Sequence, residues 1–315
     1  MARVVPNFGN LKSGGVGASG YTPNVETEYG MIGKVAFQLI KEVTAKNPLA
    51  VFDFMPVDKG DTIEEAVVKL IESSAYDPTG AGALAPDTSV KMAVRYFNGW
   101  QSKKFKTTVS SRDLRKVLTE ATGLEDATSK LVGTLSQSDI YDKFLDVKAL
   151  LDYAKTAGSA SDGVNTAFMH NNAWDIAVAN NDYSPVIKQI KDFADAFNFV
   201  SSSYNRAGIL RRNDKSDIRI IMPYKLKNSI DVDTLTGYFN LNKGEIEQMI
   251  IPIDTNDGYV YIVDKEAIKV STRLYEMWDE KNADGAFWNY YLHVERLYAV
   301  VELFNAIYFQ VTLAE

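Results

Sequence analysis

The sequence contains no cysteine and only two histidines, His170 and His293, among 315 residues. Without cysteine there can be no disulfide, no thiolate metal site and no cysteine nucleophile. Because the two histidines lie far apart in sequence, a histidine-rich metal site is excluded as well. Each histidine is better explained as a hydrogen-bonded structural residue than as a catalytic base. We therefore predict no metal site and no catalytic residue.

Long apolar runs and an excess of positive charge are also missing. No stretch approaches the ~20 apolar residues that a membrane-spanning helix needs, and the first residues lack the apolar core of a signal peptide. The formal net charge is −7, whereas proteins that bind nucleic acids broadly are basic. The chain does have 46% hydrophobic residues, enough for one large domain or two ordinary ones. We expect a protein made and used in the cytoplasm, without membrane contact.

The first 24 residues are rich in Gly, Ser, Asn and Pro, and they include a motif that suggests a cofactor. Gly15–Gly20 matches the dinucleotide-binding fingerprint, but that fingerprint needs a buried strand before it and a helix that opens at it. Here polar residues precede the motif and Pro23 follows it closely. We therefore predict no cofactor, and we expect an extended arm laid over a neighbour. An amphipathic helix at 25–46, which stops at Asn47–Pro48, and a short strand at 49–57 follow.

The next segment is interpreted as a long hairpin. Residues 63–71 have apolar positions that suit a helix or a strand, and both alternatives stay open. Residues 77–87 are dense in turn formers. Residues 90–97 alternate apolar and other side chains as a strand does. Asn98–Gly99 is typical of a hairpin turn, but we interpret it as a bulge or bend within one long strand.

Charge separates along this hairpin. Residues 53–77 carry seven acidic and two basic side chains, and residues 91–116 carry eight basic side chains and one acidic. Such runs are usually solvated faces; the functional alternative is a pair of complementary surfaces that fix the register between adjacent copies of the protein. The candidate inter-subunit contacts are Glu64, Glu65, Glu72, Lys91, Arg95, Trp100, Lys103, Lys104 and Lys106. Aromatic residues among the bases also suggest stacking on single-stranded nucleic acid, which the acidic total disfavours.

A long helix follows the hairpin. Ser110 or Ser111 can cap it, and an apolar stripe continues past Gly123, where a break stays open, to about Lys155. The acidic side chains of this helix could serve a hydrolase, but they are better explained as a solvated helix face. Among them are Glu125, Asp126, Asp139 and Asp142.

The second half of the chain mixes helices and strands. Ser184–Pro185 starts a helix that runs to about Val200. Residues 217–224 form a buried strand that ends at a proline. Two further strands, 250–253 and 259–263, are joined by a tight turn. The remaining elements are short helices at 232–238 and 243–249 and long strands within 287–311.

This order of parts resembles the major capsid protein of tailed phages, with the Hong Kong 97-like fold. The segments that carry the resemblance are FKTTVSSRDLRKVL, DIRIIMPYKLKNSIDVDTL and YIVDKEAIKVSTRLYEMWDEKNADGAFWNYYLHVERLYAVV. The resemblance implies an α+β chain with an N-terminal arm, an extended β-hairpin loop, a spine helix, a peripheral domain and an axial domain. Two features depart from the family. There is no long N-terminal scaffold-like segment, which implies a separate scaffolding protein or none, and residues 63–71 have a helical pattern where the family has a strand.

The resemblance also implies domain divisions and a function. The divisions are the arm at 1–48, the extended loop at 49–109, the peripheral domain with the spine helix at 110–205, the axial domain at 206–284 and the β return of the peripheral domain at 285–315. The implied function is a shell of hexamers and pentamers, icosahedral in form, which encloses double-stranded DNA without sequence-specific contacts. Scaffolding, portal and decoration proteins are the implied partners, and the virion would assemble in the host bacterial cytoplasm. The alternatives are an encapsulin-like compartment and, more weakly, a soluble hydrolase; no enzymatic activity is expected.

Overall fold

The structure is a computed structural model that describes most of the chain. The described residues are 43–57, 62–71, 73, 75–76, 78–80, 92–110, 121–156 (side chains from 129), 167–179, 182–230, 249–255, 257–285 and 287–313. Several sequence predictions lie wholly or mostly outside them: residues 1–42 of the N-terminal arm with the glycine motif, most of the first helix, most of the hairpin tip, Ser111 as a helix cap, most of the two short helices at 232–238 and 243–249, and the candidates Glu72 and Lys91.

The described elements mix helices and strands. In chain order they are a 3-10 helix at Pro48–Phe52, β1 (Ile63–Val68), β2 (Met92–Phe97), β3 (Trp100–Ser110), α1 (Ala121–Thr156), β4 (Ile176–Val178), α2 (Ser184–Phe197), β5 (Ile218–Pro223), α3 (Tyr224–Ser229), β6 (Ile250–Ile253), β7 (Tyr259–Asp264), β8 (Ile268–Asn282), β9 (Phe287–Val300) and β10 (Ala306–Leu313). They form a two-stranded sheet β1–β2, a five-stranded sheet in the order β4–β10–β7–β5–β6, and a three-stranded sheet in the order β3–β9–β8.

The chain divides into two compact units, and the larger one comprises residues 45–105, 138–277 and 292–315. Its core is built on the five-stranded sheet, whose central strands contribute side chains to two apolar clusters. In β7, Tyr261 and Val263 belong to the first cluster, whereas Val260 and Ile262 belong to the second, as the two-residue period of a strand requires. The first cluster includes Val147 of α1 and the second cluster residues of α2. The sheet is therefore covered on both faces.

Strand β5 shows what this double coverage demands of the sequence. Its residues, IRIIMP, are buried along almost the whole strand. A continuous apolar run is the pattern expected of a strand with both faces buried. The buried strand predicted at 217–224 is confirmed, within one residue at each end.

Helix α2 begins where the sequence predicts. The Asp182 carboxylate accepts a hydrogen bond from the Ser184 N–H at 3.0 Å, and Pro185 lies in the first turn, where its missing N–H costs no helical hydrogen bond. The helix ends at Phe197, before the predicted Val200. Its buried apolar face consists of Val186, Ile190, Phe193, Ala194 and Phe197.

The structure decides three expectations near the start of the described chain. Residues 63–68 form strand β1, antiparallel to β2, so the helical alternative is wrong. The strand predicted at 49–57 is also wrong: it begins as a 3-10 helix, because Asn47 Oδ1 accepts the Leu49 N–H at 2.9 Å and caps the turn. Residues 43–46, the predicted end of the first helix, are not helical.

Three further predictions concern turns and breaks. Gly258 has φ +67°, but the connection in which it lies does not join neighbouring strands, because β5 lies between β6 and β7. Gly123 lies inside α1, so the helix does not break there. Asn98–Gly99 is not a hairpin turn, since β2 pairs with β1 while β3 pairs with β9.

The smaller unit contains the 106–110 part of β3, the 121–137 part of α1 and residues 278–291. Val109 and Leu135 are buried. The Thr108 hydroxyl donates a hydrogen bond to Asn289 Oδ1 at 2.7 Å, which links β3 to β9 within this unit.

Candidate functional site

The β1–β2 hairpin carries three of the candidate contacts, Glu64, Glu65 and Arg95, and its register sorts their side chains onto two faces. Val67 pairs with Ala93 and Ile63 with Phe97. Val67, Ala93 and Phe97 pack against the first core cluster. These residues define the inner face of the hairpin. Because side chains alternate along a strand, Glu65 and Arg95, which also pair with each other, share this inner face.

Both charges of the inner face are paired within the chain. Glu65 binds Lys269 Nζ at 2.5 Å, and the two side chains are 13% and 11% exposed. Lys269 Nζ also lies 4.4 Å from the centre of the Phe54 ring. Arg95 binds Glu302 at 2.9 Å in a more exposed position. These ion pairs and the apolar contacts together hold the base of the hairpin on the larger unit.

The outer face of the hairpin is largely exposed and, apart from Glu64, apolar. Val68 is 70%, Met92 51% and Tyr96 65% exposed. Val68 pairs directly with Met92, and Ala66 with Val94, so the apolar side chains form a continuous strip across both strands. Such a strip on a two-stranded ribbon is typical of an interaction surface.

Lys103 on β3 is held between two carboxylates of α1. Its Nζ lies 2.6 Å from Asp142 Oδ2 and 2.7 Å from Asp146 Oδ1. The two aspartates are four residues apart on one helix, so they lie on the same side of it. Burial lowers the pKa of Lys103, but the hydrogen bonds to Asp142 and Asp146 outweigh it, and the net effect raises the pKa.

Trp100, at the start of β3, lies beside a second charged cluster. The Arg273 guanidinium is 4.7 Å from the centre of the Trp100 ring. Arg273 donates two hydrogen bonds to Glu295, at 2.7 and 3.0 Å, and Ser102 Oγ donates a third at 3.1 Å. The hydrogen bond from Arg273 lowers the pKa of Glu295. Trp100 therefore covers a fixed ion pair.

The remaining described candidates lie at the surface. Glu64 is on the outer face and accepts the Tyr96 hydroxyl at 3.5 Å. Lys104 and Lys106 are exposed, and Lys106 Nζ lies 5.4 Å from the centre of the Tyr291 ring. The sequence thus located the hairpin and its charges. It missed the outer apolar strip, because the residues IEEAVV of β1 alternate too weakly to show which side chains share a face.

The proposed hydrolase carboxylates have structural partners where they are described. Asp139 receives two hydrogen bonds from the buried Arg296, at 2.5 and 2.6 Å, and Asp142 binds Lys103. The side chains of Glu125 and Asp126 lie outside the described residues. These contacts give the hydrolase alternative no support.

Among the described residues, neither the surroundings of His170 nor any acidic cluster indicates a catalytic or metal site. His170 stacks on Tyr308, with ring centres 4.5 Å apart, and its Nε2 lies 3.0 Å from Asp175 Oδ1. Within the described residues, no group of three acidic or histidine side chains could hold a metal ion. Among the helices that the structure describes, none is long and apolar enough to cross a membrane.

Comparison with solved structures shows the fold. The chain superposes on a chain of the capsid structure of Staphylococcus phage Andhra with a TM-score of 0.71 and 13% sequence identity, over 90% of this chain and 88% of that one. At this identity the likeness concerns the fold alone. The mixed helix-and-sheet architecture is therefore that of a phage capsid protein.

Comparison of sequences gives the family. The chain is 24% identical over 292 residues to a major capsid protein of Bacillus phage GA-1, covering 89% of this chain and 59% of that protein. It is 23% identical over 287 residues to that of Bacillus phage PZA, covering 89% and 62%. The chain thus spans about three fifths of the length of these curated relatives. A model of the Phi29-like phage major capsid protein family matches residues 15–310, and the chain belongs to this family.

Proposed function

We propose that copies of this chain assemble into the hexamers and pentamers of an icosahedral phage head that encloses double-stranded DNA. Family membership, the curated capsid relatives and the capsid-like fold support this proposal. In this proposal the assembled protein is part of the virion, and assembly takes place in the cytoplasm of the bacterial host.

The observation that carries the proposal is the outer face of the hairpin. A two-stranded ribbon is marginally stable by itself, yet this one exposes Val68, Met92 and Tyr96 to solvent. Burial of one such side chain contributes about 1.5–3 kcal/mol, before the costs of association are subtracted. A neighbouring copy that covers the strip would bury several of them at once, and a closed symmetric shell would repeat this gain at every equivalent contact.

We assign the fold to the Hong Kong 97-like type as part of this proposal. The capsid-like architecture and the hairpin that precedes a long helix support the assignment. The proposed divisions are an N-terminal arm at 1–48, an extended loop at 49–109, a peripheral domain at 110–205 with a β return at 285–315, and an axial domain at 206–284.

The charged candidates take two roles in the proposed assembly. Glu65, Arg95 and Lys103 already have internal partners, so they contribute by fixing the hairpin and β3 in position. The outward-facing Glu64 and the exposed Lys104 and Lys106 are suited to direct contacts between copies, together with Trp100 and the undescribed Glu72 and Lys91. Complementary charges of this kind fix register more than they add affinity.

Other partners follow from the role of a shell. Scaffolding, portal and decoration proteins are proposed partners of the assembled copies. The net charge of −7 suits a container that holds DNA without sequence-specific contacts, since proteins that bind nucleic acids broadly are basic overall.

Electron microscopy of the purified full-length chain, together with sedimentation over a range of concentrations, tests the assembly. Shells, capsomers or tubes that increase with concentration are expected; a sharp monomer at every concentration would contradict the proposal. The contents of particles recovered from a host distinguish the alternatives. Nuclease-protected double-stranded DNA supports the phage head, whereas a loaded protein cargo supports an encapsulin-like compartment.

A further inference from the structure

The joint between β2 and β3 has no part in the contacts described above. It consists of Asn98 and Gly99, which are both exposed. Asn98–Gly99 is the single Asn-Gly dipeptide of the sequence. The strands on its two sides belong to different sheets, since β2 pairs with β1 and β3 with β9. The dipeptide therefore links the hairpin to the rest of the chain.

We propose that Asn98 is a modification site, at which spontaneous deamidation converts asparagine into aspartate and isoaspartate. The Gly99 backbone nitrogen loses its proton to hydroxide and attacks Cγ of Asn98. A C–N bond forms, the Cγ–Nδ2 bond breaks, and ammonia leaves, which gives a five-membered succinimide. Water then adds to one of the two ring carbonyls. Ring opening at one carbonyl gives aspartate, and at the other it gives isoaspartate.

The surroundings of Gly99 leave room for this reaction. A Cβ atom placed on Gly99 would meet no other atom within 4 Å, and glycine itself has none to shield its nitrogen. Among the described residues, no hydrogen-bond partner is found for the Asn98 side-chain amide or for the Gly99 N–H. The local backbone contact uses other atoms, since the Trp100 N–H donates to the Asn98 carbonyl at 2.9 Å. The reacting nitrogen and carbon are thus both accessible.

Other asparagines show by contrast why the reaction should be selective. The Asn198 side chain accepts hydrogen bonds from Arg212 at 3.0 and 3.2 Å, and a bulky Phe199 follows it. Asn282 Oδ1 accepts the Gly285 N–H at 2.9 Å, and Ala283 follows it. In each case a hydrogen bond fixes the amide and a side chain hinders the following nitrogen. Asn282 is exposed as Asn98 is, so exposure alone does not separate the two.

The modification changes the joint in two ways. Both products add one negative charge, three residues after Arg95. The isoaspartyl product also routes the main chain through the former side chain, which inserts one extra carbon between β2 and β3. The angle at which the hairpin leaves β3 would therefore differ between fresh and aged protein.

The test is an incubation of the folded full-length chain at neutral and at mildly alkaline pH, followed by trypsin and mass spectrometry. Cleavage after Arg95 and Lys103 gives the peptide YFNGWQSK, in which Asn98 is the single asparagine. A synthetic peptide of the same sequence supplies the intrinsic rate. We expect the folded chain to convert Asn98 at a rate comparable to that of the peptide, faster at the higher pH, with isoaspartate as the major product. Asn198 and Asn282 should stay intact.

Two variants make the outcome decisive. Gly99→Ala has room for its methyl group and should slow the conversion several-fold without loss of the fold, because the methyl hinders the attacking nitrogen. Ala283→Gly places a second Asn-Gly dipeptide where the amide stays hydrogen-bonded, and it should remain slow. An unmodified Asn98 in the folded chain, over a time that converts the free peptide, would overturn the proposal. So would conversion of Asn198 or Asn282 at the same rate as Asn98.

Discussion

Glu65 on β1 and Lys269 on β8 form a nearly buried ion pair across 204 residues of sequence. The ammonium group of Lys269 also faces the Phe54 ring, so its charge is shielded from water on several sides. The contact ties the hairpin to the first core cluster of the larger unit. It also shows that an acidic residue of the hairpin is committed to the chain itself.

Glu65→Gln should loosen the hairpin, because it leaves the Lys269 charge buried without its counterion. Loss of one partner from a mostly buried pair costs about 2–4 kcal/mol. Hydrogen exchange of the β1 and β2 amides should accelerate, while that of β5 changes little. Glu64→Gln, one residue away on the outer face, is the matched control and should change exchange by little. Equal effects of the two variants would contradict the assigned faces.

Asp139→Asn should destabilise the larger unit as a whole. Asp139 and Arg296 are almost completely buried, with side chains 5% and 8% exposed, and an uncompensated buried arginine costs about 3–5 kcal/mol. Urea unfolding measures the loss. Asp152→Asn, on the same helix but half exposed, should cost less than about 1 kcal/mol. An unfolding midpoint for Asp139→Asn that matches wild type would show that the pair contributes nothing net.

Lys103 should make stability fall in alkaline solution. A lysine whose pKa is raised on folding stabilises the fold fully below its ordinary value of about 10.4, and this contribution is lost as the pH rises through the folded value. Lys103→Met should lower the free energy of unfolding at neutral pH by about 1 kcal/mol, since the group is partly exposed. It should also flatten the alkaline decline relative to wild type. Tyr298, whose pKa is raised by burial and by its hydrogen bond to Asp146, shares that carboxylate with Lys103, so both proteins are compared in a Tyr298→Phe background.

Gly258→Ala should be strongly destabilising. Gly258 has φ +67°, and a Cβ there would lie 2.2 Å from the Val311 carbonyl oxygen, so the backbone of β10 would have to move. Gly208→Ala is the matched control: its φ is +63°, but the added methyl meets nothing within 4 Å. The control should cost only the left-handed strain of about 1–2 kcal/mol, and thermal unfolding should place Gly258→Ala well below it. Similar melting temperatures for the two variants would mean that the β10 backbone can move away from the added methyl group at little cost.

Met92→Glu should weaken assembly while it leaves the subunit folded. The side chain is half exposed on the outer strip, so a charge there costs little in the single chain but would be buried without a partner between copies. Tyr153→Glu, at an exposed apolar site on α1, is the control. Sedimentation should show a reduced assembled fraction for Met92→Glu and a smaller change for the control. Unchanged assembly of Met92→Glu would exclude the strip as a contact between copies.

The sequence predicted those parts of the fold in which one local pattern dominates. The continuous apolar run of β5, the Ser184–Pro185 start of α2 and the alternation of β2 each specify their element within a few residues. The sequence could not decide whether residues 63–68 form a helix or a strand, because IEEAVV fits both the helical and the strand period. Only the pairing with β2 decides between them.

The sequence predicted where the candidate contact residues lie, but not which residues they bind. The charges of the hairpin were visible in the sequence, whereas their partners were not, because Glu302 lies 207 residues from Arg95 and Asp142 lies 39 residues from Lys103. Pairing over such separations depends on the tertiary fold, which brings Glu302 to β2 and α1 to β3. Once these partners are known, the outer face that we propose as a contact between copies is more apolar than ionic.

The alternation of side chains in β7 has a mechanical consequence for any assembly. A slip of this strand by one residue would exchange Tyr261 and Val263 with Val260 and Ile262, and would spoil the packing of both helices together. Intermediate alignments are therefore all costly, so β7 resists sliding within the five-stranded sheet. In the proposed shell, adjustment between five-fold and six-fold surroundings would then come from parts of the chain other than this sheet.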